Sequence, residues 1–115
     1  MEPIPYYYDF INRSAMVLFP KKPFFDWLIS IEEENKNVIS HTEGDVYLLP
    51  DYEIHSEIEQ WLKKHFDDIF TDQLNNWYVD ESLWPAKRTF SMFNEWFSYT
   101  FHTTVYDTEG KLIKK

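Results

Sequence analysis

The side chains able to do chemistry in this chain are acids first. Two adjacent pairs, Asp67-Asp68 and Asp80-Glu81, could supply acid–base chemistry if burial set the pKa values of the two members apart. Sequence adjacency alone does not meet that condition. Asp67-Asp68 falls on the polar face of a long helical pattern, whereas Asp80-Glu81 lies in a connection before Trp84-Pro85 and is the more suggestive pair. The two arginines are Arg13 and Arg88. Arg88 reads as a first-turn residue of a helix opened by Pro85, where the helix dipole disfavours a cation, so it needs an acidic partner. The expected arrangement is a loop-fixing ion pair with Asp80 or Glu81. The alternative is a bidentate anchor for a ligand carboxylate or phosphate.

Other reactive groups are scattered. His41, His55, His65 and His102 have no second histidine or cysteine at ligand spacing, and the nearest pattern, His55-x-Glu57-x-Glu59, reads as a solvated helix pair. His65 stands inside an apolar stripe, where a hydrogen-bonded histidine at the core margin is the simplest reading. No GxSxG elbow surrounds Ser14, Ser82 or Ser91. With no cysteine, disulfides, thiolate metal sites and cysteine nucleophiles are excluded, and with only Gly44 and Gly110 there is no glycine loop to cradle a phosphate. The expectation is a chain without cofactor or metal that is not an enzyme.

Charge adds a direction. The formal net charge is -9, and the stretch Glu32 to Glu81 holds 14 acids against three bases. A field of that sign repels phosphate backbones, so nucleic acid is an unfavoured partner and a basic protein a favoured one. At 115 residues and 43% hydrophobic content the chain has the size and composition of one folded, soluble domain. No apolar run approaches the ~18 residues of a spanning helix, so no membrane role is expected. The opening residues Met1 to Phe10 lack a basic and an apolar signal region, which favours the cytoplasm.

The elements that must position these residues follow from periodicity. Ala15 to Phe19 is a continuous apolar run, the pattern of a central strand covered on both faces. Phe24, Trp27, Leu28 and Ile31 recur at helical spacing after Pro23. Val46 to Leu49, stopped by Pro50, reads as a second strand, and strand–helix–strand suggests a right-handed parallel crossover. Val38-Ile39 is a candidate for a short additional strand. Asp51 suits the N-cap of a long helix with the stripe Ile54, Ile58, Trp61, Leu62 and His65. The later apolar positions Phe66, Ile69, Phe70, Leu74 and Trp77 shift round the axis, which predicts a bend or break between Asp67 and Asp72. A third helix is expected from Pro85 to Ser98, and a last strand over Phe101 to Asp107. The reading is a three-stranded sheet, or a four-stranded one if Val38-Ile39 joins it, packed by three helices in the order β-α-β-α-α-β, either α/β or α+β according to the direction of the last strand. It divides into an aromatic leader over 1–11, one globular domain over 12–107 and a basic tail over 108–115.

From Asn12 to about Tyr106 the chain resembles a family of small, functionally uncharacterised bacterial proteins. The resemblance rests on Asn12-Arg13-Ser14-Ala15, on Pro20-Lys21-Lys22-Pro23-Phe24 with Trp27, and above all on Trp77-Tyr78-Val79-Asp80-Glu81-Ser82-Leu83-Trp84-Pro85 with Arg88-Thr89, Met92-Phe93 and Trp96-Phe97. It implies no activity, ligand or catalytic residue.

Aromatic residues, 20% of the chain, are the surplus resource, and they are the usual anchors of interfaces. Those outside any periodic pattern are Tyr6 to Tyr8, Tyr78 and Trp84. The leading expectation is therefore a non-enzymatic protein- or peptide-binding module, inhibitor- or immunity-like in one form, with Tyr78, Asp80, Glu81, Trp84 and Arg88 as binding residues. The alternative is a small-molecule-binding protein or enzyme with an aromatic pocket near Trp84 and Arg88. The leader could further pack across a symmetric copy and make a homodimer.

Overall fold

Strand β2 (Ser14–Pro20) lies at the centre of the sheet. In the computed structural model, which describes residues 9–37, 43–109 and 111–114, it is flanked by β3 (Asp45–Leu49) and β4 (Phe97–His102) in the order β3-β2-β4. Three helices, α1 (Lys22–Ile31), α2 (His55–Asn75) and α3 (Phe90–Trp96), pack on it. A short ribbon of β1 (Asp9–Phe10) and β5 (Tyr106–Asp107) continues the β2/β4 pairing as a separate two-stranded sheet. The result is a small α+β domain.

Both flanking strands run antiparallel to β2, so the expected parallel crossover does not form. β3 starts beside the end where β2 left off, with Asp45 paired to Leu18, so α1, about 15 Å long, does not serve as a crossover between parallel strands. The candidate strand Val38-Ile39 lies outside the described residues, as does the tyrosine leader.

Register decides which side of the sheet is core. Met16 and Leu18, with Tyr47 and Leu49 beside them and Phe97, Tyr99 and Phe101 opposite, face the helices. Ala15, Val17 and Phe19 share the other face with Val46 and Leu48 on one flank and Ser98, Thr100 and His102 on the other. That second face is not covered as the unbroken apolar run suggested, for Phe19 and Val46 are exposed. Continuing the register sets Gly44 opposite Phe19, and the ring occupies the space a side chain would need: a Cβ on Gly44 would meet Phe19 Cε1 at 2.6 Å.

The core is built from rings. Phe24, Phe70, Phe93 and Phe97 are all fully buried, with Phe70 edge-on to Phe97 at 5.5 Å and Phe93 tilted on Phe97 at 5.0 Å. Offset and edge contacts of this kind add about 0.5–1.5 kcal/mol per pair to the burial itself.

Helix α2 is continuous over all 21 residues, with no break at Asp67–Asp72. Its buried positions Ile58, Leu62, Ile69, Phe70, Gln73 and Leu74 form one stripe at helical period. Ile54 and the half-buried Trp61 flank that stripe, which made the first half seem rotated from the second. A buried glutamine hid its continuity as well. Ile54, not Asp51, is the N-cap, and no side chain caps it.

The third helix is shorter than expected at both ends. It begins at Phe90, because the Thr89 hydroxyl accepts from the Met92 N–H at 3.1 Å and caps it. It ends at Trp96, where Phe97-Ser98-Tyr99-Thr100-Phe101-His102 takes up strict in–out alternation as β4. Phe93 and Phe97 satisfy helical spacing, yet Phe97 already belongs to the strand. The chain then breaks over 103–105, so the last strand is not one run from Phe101 to Asp107.

Candidate functional site

The outer face of the C-terminal half of α2 carries Asp68, Thr71, Asp72 and Asn75, spaced i, i+3, i+4 and i+7 and therefore aligned. Facing this row is the segment after the helix, comprising the loop from Asn76, a 3₁₀ turn (Glu81–Leu83), and the turn that carries Arg88. Together with Glu81, Trp84 and Arg88, the row encloses an open cleft of about 390 Å³. Three of its lining residues are acids.

The loop is held from inside. The Tyr78 N–H donates to the Leu74 carbonyl at 2.9 Å, and the Trp84 indole N–H donates to the Tyr78 carbonyl at 2.7 Å. The Trp27 indole N–H reaches the Leu83 carbonyl at 3.0 Å, while Asn35 Nδ2 donates to both the Leu28 carbonyl and the Tyr78 hydroxyl. The Tyr78 ring stands edge-on to Trp27 at 5.9 Å. Among the described residues every buried side-chain polar atom is thus partnered, and the loop has a fixed shape.

Asp80 is the cap of the 3₁₀ turn. Its carboxylate accepts from the Ser82 N–H at 3.0 Å and from the Ser82 hydroxyl at 2.7 Å, and these bonds hold its pKa below the ordinary carboxylate value. Because Asp80 is committed there, it is not the partner of Arg88. That role falls to Asp67, the residue expected to be a solvated helix acid: Arg88 Nε donates to Oδ1 at 2.7 Å and Nη2 to Oδ2 at 3.3 Å. Arg88 Nη1 also donates to the Pro85 carbonyl at 2.8 Å, which folds the turn on itself and keeps Arg88 outside α3. The forked ion pair ties the turn to α2 and neutralises the cation that lines the cleft. The field left in the cleft is that of Asp68, Asp72 and Glu81.

Asp72 is oriented from behind. Tyr47 donates its hydroxyl proton to Asp72 Oδ2 at 2.5 Å, and Gln73 Nε2 donates to the Tyr47 hydroxyl at 2.9 Å and to Asp45 Oδ2 at 2.8 Å. Burial, and the bond to the Asp72 carboxylate, push the Tyr47 phenol well above its usual range. This network joins β3 to α2 at the rim of the cleft.

Of the five residues singled out from sequence, the structure brings Glu81, Trp84 and Arg88 to the cleft. It turns Tyr78 inward against Trp27 and uses Asp80 locally. The apolar side chains that do project are their neighbours: Trp77 is 43% and Val79 79% exposed, with Leu83 exposed as well. Trp77 extends the apolar stripe of α2, and only the helix end at Asn75 turns it outward, so periodicity pointed it the wrong way. Asp68 and Asp72 carried a legible signal in their i, i+4 spacing, but nothing in the sequence placed Glu81 opposite them.

Among the described residues no group of acids and histidines is arranged to hold a metal ion, and His65 is stacked on Trp61 at 4.7 Å. No described helix is long and apolar enough to cross a membrane. Compared with known proteins, the chain matches no family model, no curated protein and no solved structure.

Proposed function

We propose that this chain is a cytoplasmic, non-enzymatic module that binds a basic protein or peptide through the cleft and the loop beside it. The observation that carries the reading is the pairing of two surfaces on one rigid loop. Asp72 and Glu81 line the cleft with no cationic partner, and Asp68 has only the His65 ring beside it at 3.7 Å, since Arg88 is already paired with Asp67. Trp77, Val79 and Leu83 project beside it. Acids at a concave site steer and orient a cationic partner, and exposed apolar side chains supply the area to hold it. A loop that is already ordered loses little freedom on binding. Neutralisation of a basic toxin by an inhibitor or immunity-type protein is one form this binding would take.

Capture from extracts of the native cell tests the reading. Immobilised wild-type protein is expected to retain a basic protein that Trp77→Ala and Glu81→Lys variants release. Repeated recovery of no partner, or equal recovery by both variants, would refute it.

A second reading has a specific observation in its favour: the cleft has the volume of a ligand site and Trp84 in its wall. A small cation such as a polyamine would suit its acids. The cleft is open and predominantly polar, whereas small-molecule sites enclose their ligand in apolar walls, so the macromolecular partner is favoured. Calorimetry with spermidine separates the two, since saturable binding at a single site would favour the small ligand.

A further inference from the structure

We infer that the outer edge of β3 is a strand-addition site for an extended segment that alternates apolar and cationic residues. The inference rests on the basic partner proposed above and uses a second surface, which adjoins the cleft at Asp72.

Three observations carry it. First, among the described residues β3 has β2 on one side and no strand on the other. In an antiparallel ladder every second residue turns its N–H and C=O away from the paired strand, so β3 offers a row of unused backbone groups. Second, its outer-face side chains are apolar and open: Val46 is 63% and Leu48 47% exposed, and Phe19 continues the patch on β2. Natural edge strands are commonly guarded by charged side chains, lysine above all. Here no lysine or arginine occurs from Asn37 to Leu62, while Glu43, Asp45, Asp51, Glu53, Glu57 and Glu59 do. Third, the inner side of the same edge is acidic, with Asp45 and, through the Tyr47 hydroxyl, Asp72.

Alternation along an added strand converts these two sides into a specificity. Successive side chains of the incoming segment point to opposite faces. One set would lie against Val46 and Leu48, and the other beside Asp45 and Asp72. Apolar residues fit the first set and lysine or arginine the second. Main-chain bonds would supply affinity and the alternating pockets selectivity. The chemistry that suits this edge is therefore a basic β-strand of a partner protein, and a helix or a folded acidic surface would satisfy neither side.

The test uses the full chain and a short labelled peptide alternating valine and lysine, with a second peptide of the same sequence methylated on the backbone nitrogens that would face β3. Fluorescence anisotropy is expected to show saturable binding of the first peptide and loss of binding by the second. A Val46→Lys variant, at an exposed position that tolerates the change, is expected to weaken binding about tenfold or more. Thr100→Lys, which adds the same charge to the same sheet face on the far strand, is expected to leave it within about twofold. Binding unaffected by N-methylation and by Val46→Lys, but abolished by Glu81→Gln, would overturn strand addition and leave the cleft reading standing. The converse pattern would uphold strand addition and count against the cleft. Failure of the unmethylated peptide to bind, or hydrogen exchange showing the outward β3 amides already protected in the free protein, would overturn the inference.

Discussion

Replacing Gln73 by leucine tests the network that joins β3 to α2. Gln73 is 5% exposed, and its Nε2 donates to Asp45 at 2.8 Å and to the Tyr47 hydroxyl at 2.9 Å. Leucine has nearly the same volume, so no cavity is created, but both bonds are lost. Each is worth about 1 kcal/mol net, the one to the carboxylate somewhat more. Neither partner is stranded, because Asp45 is exposed to water and Tyr47 still donates to Asp72. Burying leucine in place of an amide returns part of the loss. The balance is a destabilisation of about 1–2 kcal/mol. For a chain of 115 residues, a loss of 1 kcal/mol lowers Tm by about 4 °C, so the melting point should fall by about 4–8 °C. Calorimetry or urea unfolding followed by tryptophan fluorescence measures it. Gln73→Glu, which sets a third carboxylate between Asp45 and Asp72, should cost more at neutral pH and recover stability towards pH 4 as the acids protonate. A Gln73→Leu variant as stable as the wild type, or more so, would refute the argument that this network holds the sheet edge to the helix.

Further outcomes are expected elsewhere. A double-mutant cycle between Arg88→Gln and Asp67→Asn should return a coupling of about 0.5–1.5 kcal/mol, more than an exposed pair because the arginine side chain is 19% exposed and its contact is forked; additive single effects would dismiss the tie. Tyr47 has its phenol pKa raised by burial and by Asp72, so the stability it contributes is complete below the unfolded value of 10.0 and is lost as pH rises through the folded one. Absorbance titration at the tyrosinate band should therefore show one tyrosine ionising last, together with unfolding, and Tyr47→Phe should abolish that step. Asp80 has its pKa lowered by Ser82, so its contribution is present above 3.8 and lost as pH falls below it; Asp80→Asn should flatten the acid limb of the stability curve. Phe93→Ala removes a fully buried ring from the centre of the aromatic cluster and should cost about 3–5 kcal/mol by denaturant titration. Deleting residues 1–10 tests dimerisation through the leader by light scattering: a dimer mass in the full chain that falls to a monomer mass upholds it, and a monomer mass in both excludes it.

Much of the fold was legible because its signals are local. The run Ala15–Phe19 between Ser14 and Pro20, the stripe Phe24-Trp27-Leu28 after a proline, and Val46–Leu49 ahead of Pro50 each marked an element within a residue or two. Strand direction was not legible, since it depends on where the connection after α1 leads the chain. Element limits failed where one residue serves two periods, as Phe97 does, or where a single polar residue interrupts a stripe, as Gln73 does. For the candidate site, composition singled out the segment from Tyr78 to Arg88. Glu81, Trp84 and Arg88 do converge, but which aromatic residues face outward depended on tertiary hydrogen bonds: Tyr78 is drawn in by Asn35 and Trp27, while Trp77 beside it is left exposed. The partner of Arg88 lay 21 positions upstream on α2, at a distance no local pattern reveals.

The most direct test of the binding surface is a titration of isotopically labelled protein with a short oligo-arginine peptide, followed by amide and indole resonances. The account predicts saturable shifts confined to Asp68, Asp72, Asn75, Glu81 and the Trp77 indole, and their loss in an Asp68→Asn, Glu81→Gln variant that melts like the wild type. Shifts spread evenly over the acidic surface, or saturable binding that survives in that variant, would contradict it.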